Sequence, residues 1–187
     1  MSPQANSVII REKKLSDSAN DYAWAIDPEL CRLDATMPLS MSFRDALMMY
    51  EEELLYPAPR RKRFAIDTLD GVHIGNCMFY DLDEAKGQAE LGIMIGNRRY
   101  WSKGYGTDAV KALLDLIFTR TKLRRIYLHT LEWNVRAQKC FKKAGFHEIG
   151  PVRRNGYEFI EMDITREQWE QLSNAEAKQK PRVAQAS

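Results

Sequence analysis

Cysteine is scarce in this 187-residue chain, and Cys31, Cys77 and Cys140 are odd in number and lack metal-ligand spacing. A disulfide framework and a thiolate metal site are thereby excluded. Long apolar runs and a leader pattern are also missing, so the expectation is a reducing, cytoplasmic location with no membrane partner. Charge of one sign is lacking too: 28 Lys and Arg against 26 Asp and Glu leave a formal +2, which advertises no polyanionic partner. The one basic string, Arg60-Arg61-Lys62-Arg63, has no interleaved aromatics and reads as a solvated strand entrance, so nucleic acid is not expected. His73, His129 and His147 have no metal-ligand spacing and read as structural. No metal is expected.

An apolar content of 44% is enough for a sizeable core, and the length suits one domain over residues 1–172. Residues 173–187 are small and polar and read as a disordered tail. Ser7–Arg11 reads as a strand, and a helical segment near Asp17–Ile26 should stop at Asp27-Pro28. Ser42 starts a second helix with Phe43, Leu47, Tyr50 and Leu54 on one face until Pro57. Asp70-Gly71 is a hairpin turn between Arg63–Asp67 and Val72–Tyr80. Leu91, Ile93 and Ile95 alternate with Glu90, Gly92 and Met94, which gives a strand with two distinct faces. A helix from Thr107 buries Val110, Leu113, Leu114, Ile117 and Phe118, with Asp108, Lys111 and Asp115 outward. Arg124–Thr130, Phe146–Val152 and Tyr157–Ile164 read as further strands, and Thr165 with Gln168 caps a short final turn. Strands first, then mixed strands and helices, imply an α/β (α+β) fold with a mixed sheet flanked by helices.

The chemistry concentrates in residues 98–109, R-R-Y-W-S-K-G-Y-G-T-D-A, a loop that feeds a helix start. Such a start offers unpaired N–H groups and the positive end of the helix dipole, so it suits a phosphate. Gly104 and Gly106 let the chain curl around a ligand, with Arg98, Arg99 and Lys103 adding positive charge. The spacing is not a Walker loop. It satisfies the dinucleotide pattern G-x-G-x-x-A, yet that pattern should follow its strand at once, and polar and aromatic residues intervene after Ile95.

Downstream lies N-V-R-A-Q-K-C-F-K-K-A-G-F, a complete short helix with Asn134 as N-cap, Ala137, Cys140, Phe141 and Ala144 on one face, and Gly145 at its end. The strand Glu90–Ile95, the loop Tyr100–Ala109 and the asparagine helix Asn134–Phe146, in that order, resemble the GNAT superfamily of acetyl-CoA-dependent N-acetyltransferases. The likeness is to its Rim-type branch, the ribosomal-protein and related N-acetyltransferases, and is specific over Ala89–Ile164.

The resemblance implies a mostly antiparallel sheet splayed at a cofactor cleft, and direct acetyl transfer to a primary amine in a ternary complex. The acceptor would be a protein N-terminus or a small amine, and a homodimer stays open. Met94 and Ile95 would contact the cofactor through their main chain. Its pyrophosphate would lie with Arg99, Lys103, Gly104, Tyr105, Gly106 and Thr107, and Asn134 and Phe141 would border it. Glu90 is the candidate general base, against a structural hydrogen-bonding role. Phe141 stands where many members have a tyrosine that protonates the thiolate, so Cys140, Tyr157 or water would take that step. The same departure supports the alternative, a catalytically weak acyl-CoA sensor or partner-binding module.

Overall fold

The computed structural model describes residues 7–179. Seven strands form one sheet in the order β1-β2-β3-β4-β5-β7-β6. They are β1 (Val8–Glu12), β2 (Lys62–Thr68), β3 (His73–Asp83), β4 (Gln88–Ile95), β5 (Arg125–Leu131), β6 (His147–Arg154) and β7 (Tyr157–Thr165). Every neighbouring pair is antiparallel except β4 and β5, which run parallel. That one pair decides the site. Only Gln88, Ala89 and Glu90 of β4 register with β5, on Arg125, Ile126 and Tyr127. From Leu91 onward β4 keeps β3 alone, and β5 keeps β7 alone.

The helices are α1 (Ser18–Ala25), α2 (Pro28–Leu33), α3 (Phe43–Leu55), α4 (Tyr105–Arg120), α5 (Val135–Lys143) and α6 (Arg166–Gln179). The apolar stripe of α4, including Val110, Leu113, Leu114, Ile117 and Phe118, is buried with Ile126, Leu128, Met162 and Ile164 of the sheet in one core. Its polar residues are more engaged than their spacing predicts: Asp108 accepts from Ser7 and Asp115 accepts from Trp169 Nε1 at 2.7 Å. Both are half-buried.

Asp27-Pro28 does end α1, but the same two residues also begin α2, which the sequence reading lacks. Asp27 accepts from the N–H groups of Glu29 and Leu30, and proline fits the first helical position because no intrahelical partner awaits its nitrogen. The final turn is likewise longer than expected. Thr165 and Gln168 cap each other's N–H groups, and α6 then continues through Ser173 to Gln179. The reading of 173–187 as a disordered tail is therefore corrected for 173–179, where Ala, Glu, Lys and Gln are strong helix formers; residues 180–187 lie outside the described part. The basic string at 60–63 is partly absorbed by α3, since Arg61 and Arg63 both pair with Glu53.

A buried ion network ties β1 and β2 to the start of α1. Arg11 contacts Asp17 at 2.8 Å and Asp67 at 2.6 Å, and Asp17 is 3% exposed. Burial alone would raise the Asp17 carboxyl, but hydrogen bonds from Arg11 and the Lys14 N–H outweigh it and hold the group down at about 2. Because the folded value lies below the unfolded one, this stabilisation is present above pH ~4 and is lost as pH falls through about 2. Asp17→Asn is expected to lower stability at pH 7 by roughly 2 kcal/mol or more and to flatten the acid limb, as urea titrations at pH 7 and pH 2 would read out.

Candidate active site

Where β4 and β5 part, a cleft of about 620 Å³ opens. Its walls come from the end of β4, the loop that follows it, the start of α4, one face of α5 along its length, and the tip of α2. Residues on the gap side of β4 lack a strand to pair with, so their main-chain groups are available to a ligand. Met94 and Ile95 line this cleft, as does Ile93, which sequence reasoning passed over. The Ile95 carbonyl accepts from Trp101 Nε1 at 2.6 Å, which fixes the loop against the strand end.

The floor is the N-terminus of α4. Gly104 sits at its N-cap with φ 94° and no side-chain cap, so the first-turn N–H groups are left for a ligand. A Cβ there would meet nothing within 4 Å, whereas one on Gly106 would come within 3.3 Å of Cys140 Sγ. The left-handed requirement thus belongs to Gly104, and Gly106 serves the close approach of α4 to α5. Gly104, Gly106, Thr107, Asn134 and Phe141 all line the cleft.

Three of the expected phosphate-loop residues stand differently. Tyr105 turns to the core side, edge-on to Tyr100 at 5.0 Å, and Arg99 and Lys103 are exposed outside the lining. Arg98 is committed elsewhere, to Asp27 at 2.8 Å and Glu29 at 2.9 Å, so its charge clamps α2 to the loop. The cations that do line the cleft are Arg136, Lys139 and Lys143, one helical face of α5. Arg136 lies 3.8 Å over the Trp101 ring. Spacing three and four residues apart was the available signal for them.

Asn134 caps α5 by accepting from the Ala137 N–H at 3.3 Å. Phe141 is buried in the cleft wall against Phe146 at 6.0 Å. Beside it, Cys140 Sγ accepts from Thr107 Oγ1 at 3.5 Å, and burial raises its thiol above the ordinary value. Tyr157 is exposed at the start of β7 and does not line the cleft.

Glu90 occupies the last position of β4 that pairs with β5, opposite Tyr127, with Tyr80 on its β3 side, where β4 and β5 begin to separate. It is 5% exposed and does not line the cleft itself. Its Oε1 accepts from His129 Nδ1 at 2.8 Å, and Arg154 Nη1 stands 3.5 Å from Oε2. Arg154 is also 3.1 Å from His129 Nδ1, but two donors cannot share a proton, so its charge is directed at the carboxylate. His129 Nε2 is buried without a hydrogen bond among the described residues, 3.7 Å from Glu161. Burial first, then Glu90, raises both the Tyr80 and Tyr127 hydroxyls.

Among the described residues no cluster of three or more His, Cys, Asp or Glu could hold a metal, and no helix is long and apolar enough to cross a membrane. A family profile described as an acetyltransferase (GNAT) domain matches residues 7–147. The uncharacterized N-acetyltransferase p20 of Bacillus licheniformis is 29% identical over 77% of this chain and 81% of its own length. The spermine/spermidine N(1)-acetyltransferase of Bacillus subtilis is 34% identical over 41% of this chain, a match that spans 51% of that relative. In structure, the chain is similar to the aminoglycoside acetyltransferase AAC(6')-Ib in complex with coenzyme A, with TM-score 0.75, 24% identity, and 89% and 99% of the two chains covered. It is also similar to the spermidine N-acetyltransferase of Vibrio cholerae in complex with CoA and spermine, with TM-score 0.77, 20% identity, and 87% and 97% covered. With three quarters of its length matched by that profile and its sheet split at the parallel pair, the chain belongs to the GNAT acetyltransferase family.

Proposed function

We propose that this acetyltransferase moves an acetyl group from acetyl-CoA to a primary amine of a small cationic acceptor, directly, within a ternary complex. The observation that carries the reading is the gap between β4 and β5 floored by the uncapped start of α4. Acetyl-CoA supplies an activated thioester. The α4 N–H groups and the cations Arg136, Lys139 and Lys143 fit its phosphates, and the unpaired edge of β4 fits its amide-bearing arm. Small amines are favoured because relatives carry the names of polyamine and aminoglycoside acetyltransferases. Placement in the Rim-type branch, with protein N-termini as acceptors, rests on the sequence likeness of Glu90–Ile95, Tyr100–Ala109 and Asn134–Phe146 alone.

In this reading the amine nitrogen bonds to the thioester carbon and the C–S bond breaks. Glu90 takes the amine's proton through a water, from its place at the vertex of the strand gap. Phe141 has no hydroxyl to give, so the departing thiolate takes a proton from water or from the Cys140 thiol, which burial keeps protonated at neutral pH. The test is thiol release from acetyl-CoA with a panel of spermidine, kanamycin, butylamine and a free peptide N-terminus. Turnover of at least one small amine is expected. Acetyl-CoA binding without turnover of any amine would turn the reading into the sensor alternative that Phe141 favours.

Gly104→Ala tests the cofactor floor. The φ of 94° costs an L-residue about 1–2 kcal/mol, and relief of that strain would rotate the first-turn N–H groups away from the ligand. The rise in melting temperature with acetyl-CoA should shrink by more than half in the folded variant. An undiminished rise would move the phosphates elsewhere.

A further inference from the structure

The cleft is electrically divided. Its lining cations, Arg136, Lys139 and Lys143, all come from α5. Its single lining carboxylate is Asp34, at the tip of α2 together with Leu30 and Leu33. The other acids of α2 are spoken for, since Asp27 and Glu29 hold Arg98, but the Asp34 side chain makes no hydrogen bond or ion pair among the described residues. The element that presents Asp34 is held in place. The helix that carries it is clamped by Arg98 at one end, and Arg32 lies 4.4 Å over the Trp133 ring.

Asp34 is open to the cleft's water, yet the surrounding walls desolvate it and push its carboxyl up to about 6. An unpaired carboxylate in a cleft whose other charged lining groups are all cations is available to a cation of the ligand. Asp34 thus reaches the cleft from α2, a different element from α5, which carries the cations.

We propose that Asp34 is the acceptor-selecting residue: its carboxylate pairs with a second cationic nitrogen of an oligocationic amine while the amine to be acetylated stands near Glu90. This rests on the acetyl-transfer reading above. A monoamine has only the reacting nitrogen and gains nothing from the pair. Polyamines and amino sugars share the required second cation, and comparison of the two separates the sources.

The experiment measures kcat/KM for spermidine, kanamycin and butylamine at saturating acetyl-CoA in wild type, Asp34→Asn and Asp34→Glu. Loss of a charge-assisted hydrogen bond should lower the ratio of spermidine or kanamycin to butylamine by roughly 10–100-fold in Asp34→Asn. Asp34→Glu should recover part of that ratio, and the KM for acetyl-CoA should stay as in wild type. Whichever oligocation shows the larger ratio change names the acceptor type. An unchanged ratio in a folded Asp34→Asn protein overturns the proposal, as does a loss that falls equally on butylamine. Wild-type inactivity toward all three amines would instead overturn the small-amine reading on which the proposal rests.

Discussion

Glu90→Gln is expected to leave the fold standing and to cut kcat by roughly 10–10³-fold, with little change in acetyl-CoA affinity. Glutamine fills the same space and its amide oxygen can still accept from His129 Nδ1 at the present 2.8 Å. What it cannot do is hold the amine's proton at neutral pH. Arg154 would lose an ionic partner, but its side chain is 48% exposed and water replaces that contact cheaply. Glu90→Ala should behave differently. It removes the carboxylate that holds a buried imidazole whose Nε2 lacks a hydrogen bond among the described residues, and should destabilise the protein by about 1–3 kcal/mol. The pair of variants separates chemistry from scaffolding through kcat and melting temperature measured side by side. If Glu90→Gln keeps full turnover, Glu90 serves only to hold His129, and the proton leaves by another group.

Much of this site could be read from the chain because it is built from local signals. The strand Glu90–Ile95, the loop at 100–109 and the helix opened by Asn134 each carry their own periodicity, glycine or cap, and each stands close to its expected bounds. The splay between β4 and β5 came only from the resemblance, since nothing local says how many residues of a parallel pair will register. What stayed hidden depends on partners distant in sequence. Arg98 looks like one more cation beside a phosphate loop until Asp27 and Glu29, some seventy positions away, turn out to hold it. Likewise Glu90 reads as a lone strand carboxylate, because His129 and Arg154 reach it only through the sheet. Short α2 was masked by its own start signal: Asp-Pro stops one helix and starts another with the same atoms, and only the chain beyond decides. With α2 went Asp34, whose importance comes from what fails to touch it.

Gly96→Ala should give the largest loss from the smallest change. Gly96 follows the last residue of β4, and a Cβ built there would lie 2.1 Å from the ring of Trp24. No rotation of the methyl avoids a ring laid on the main chain, so either Trp24 or the strand end must shift. Trp24 belongs to α1 and is also packed edge-on to His73 at 4.9 Å, so displacement of the ring pushes on the whole helix. Overpacking of this kind costs about 1–3 kcal/mol or more, a fall in melting temperature of roughly 3–10 °C for a chain of this size. The disturbance should be directional. From α1 the chain passes through Asp27 into α2, which brings Leu30, Leu33 and Asp34 to the cleft, whereas α4 and α5 contact the core from the other wall. Acceptor KM should therefore rise while the acetyl-CoA-induced thermal shift stays close to that of wild type. Trp24→Leu, combined with Gly96→Ala, should restore part of the lost stability, since a smaller side chain yields where the indole cannot, and a double-mutant cycle would show favourable coupling. A Gly96→Ala protein that melts and binds acceptor like wild type would mean that the Trp24 contact does not set the position of α1, and that α2 is held at the cleft by the Arg98 clamp and the Arg32–Trp133 contact.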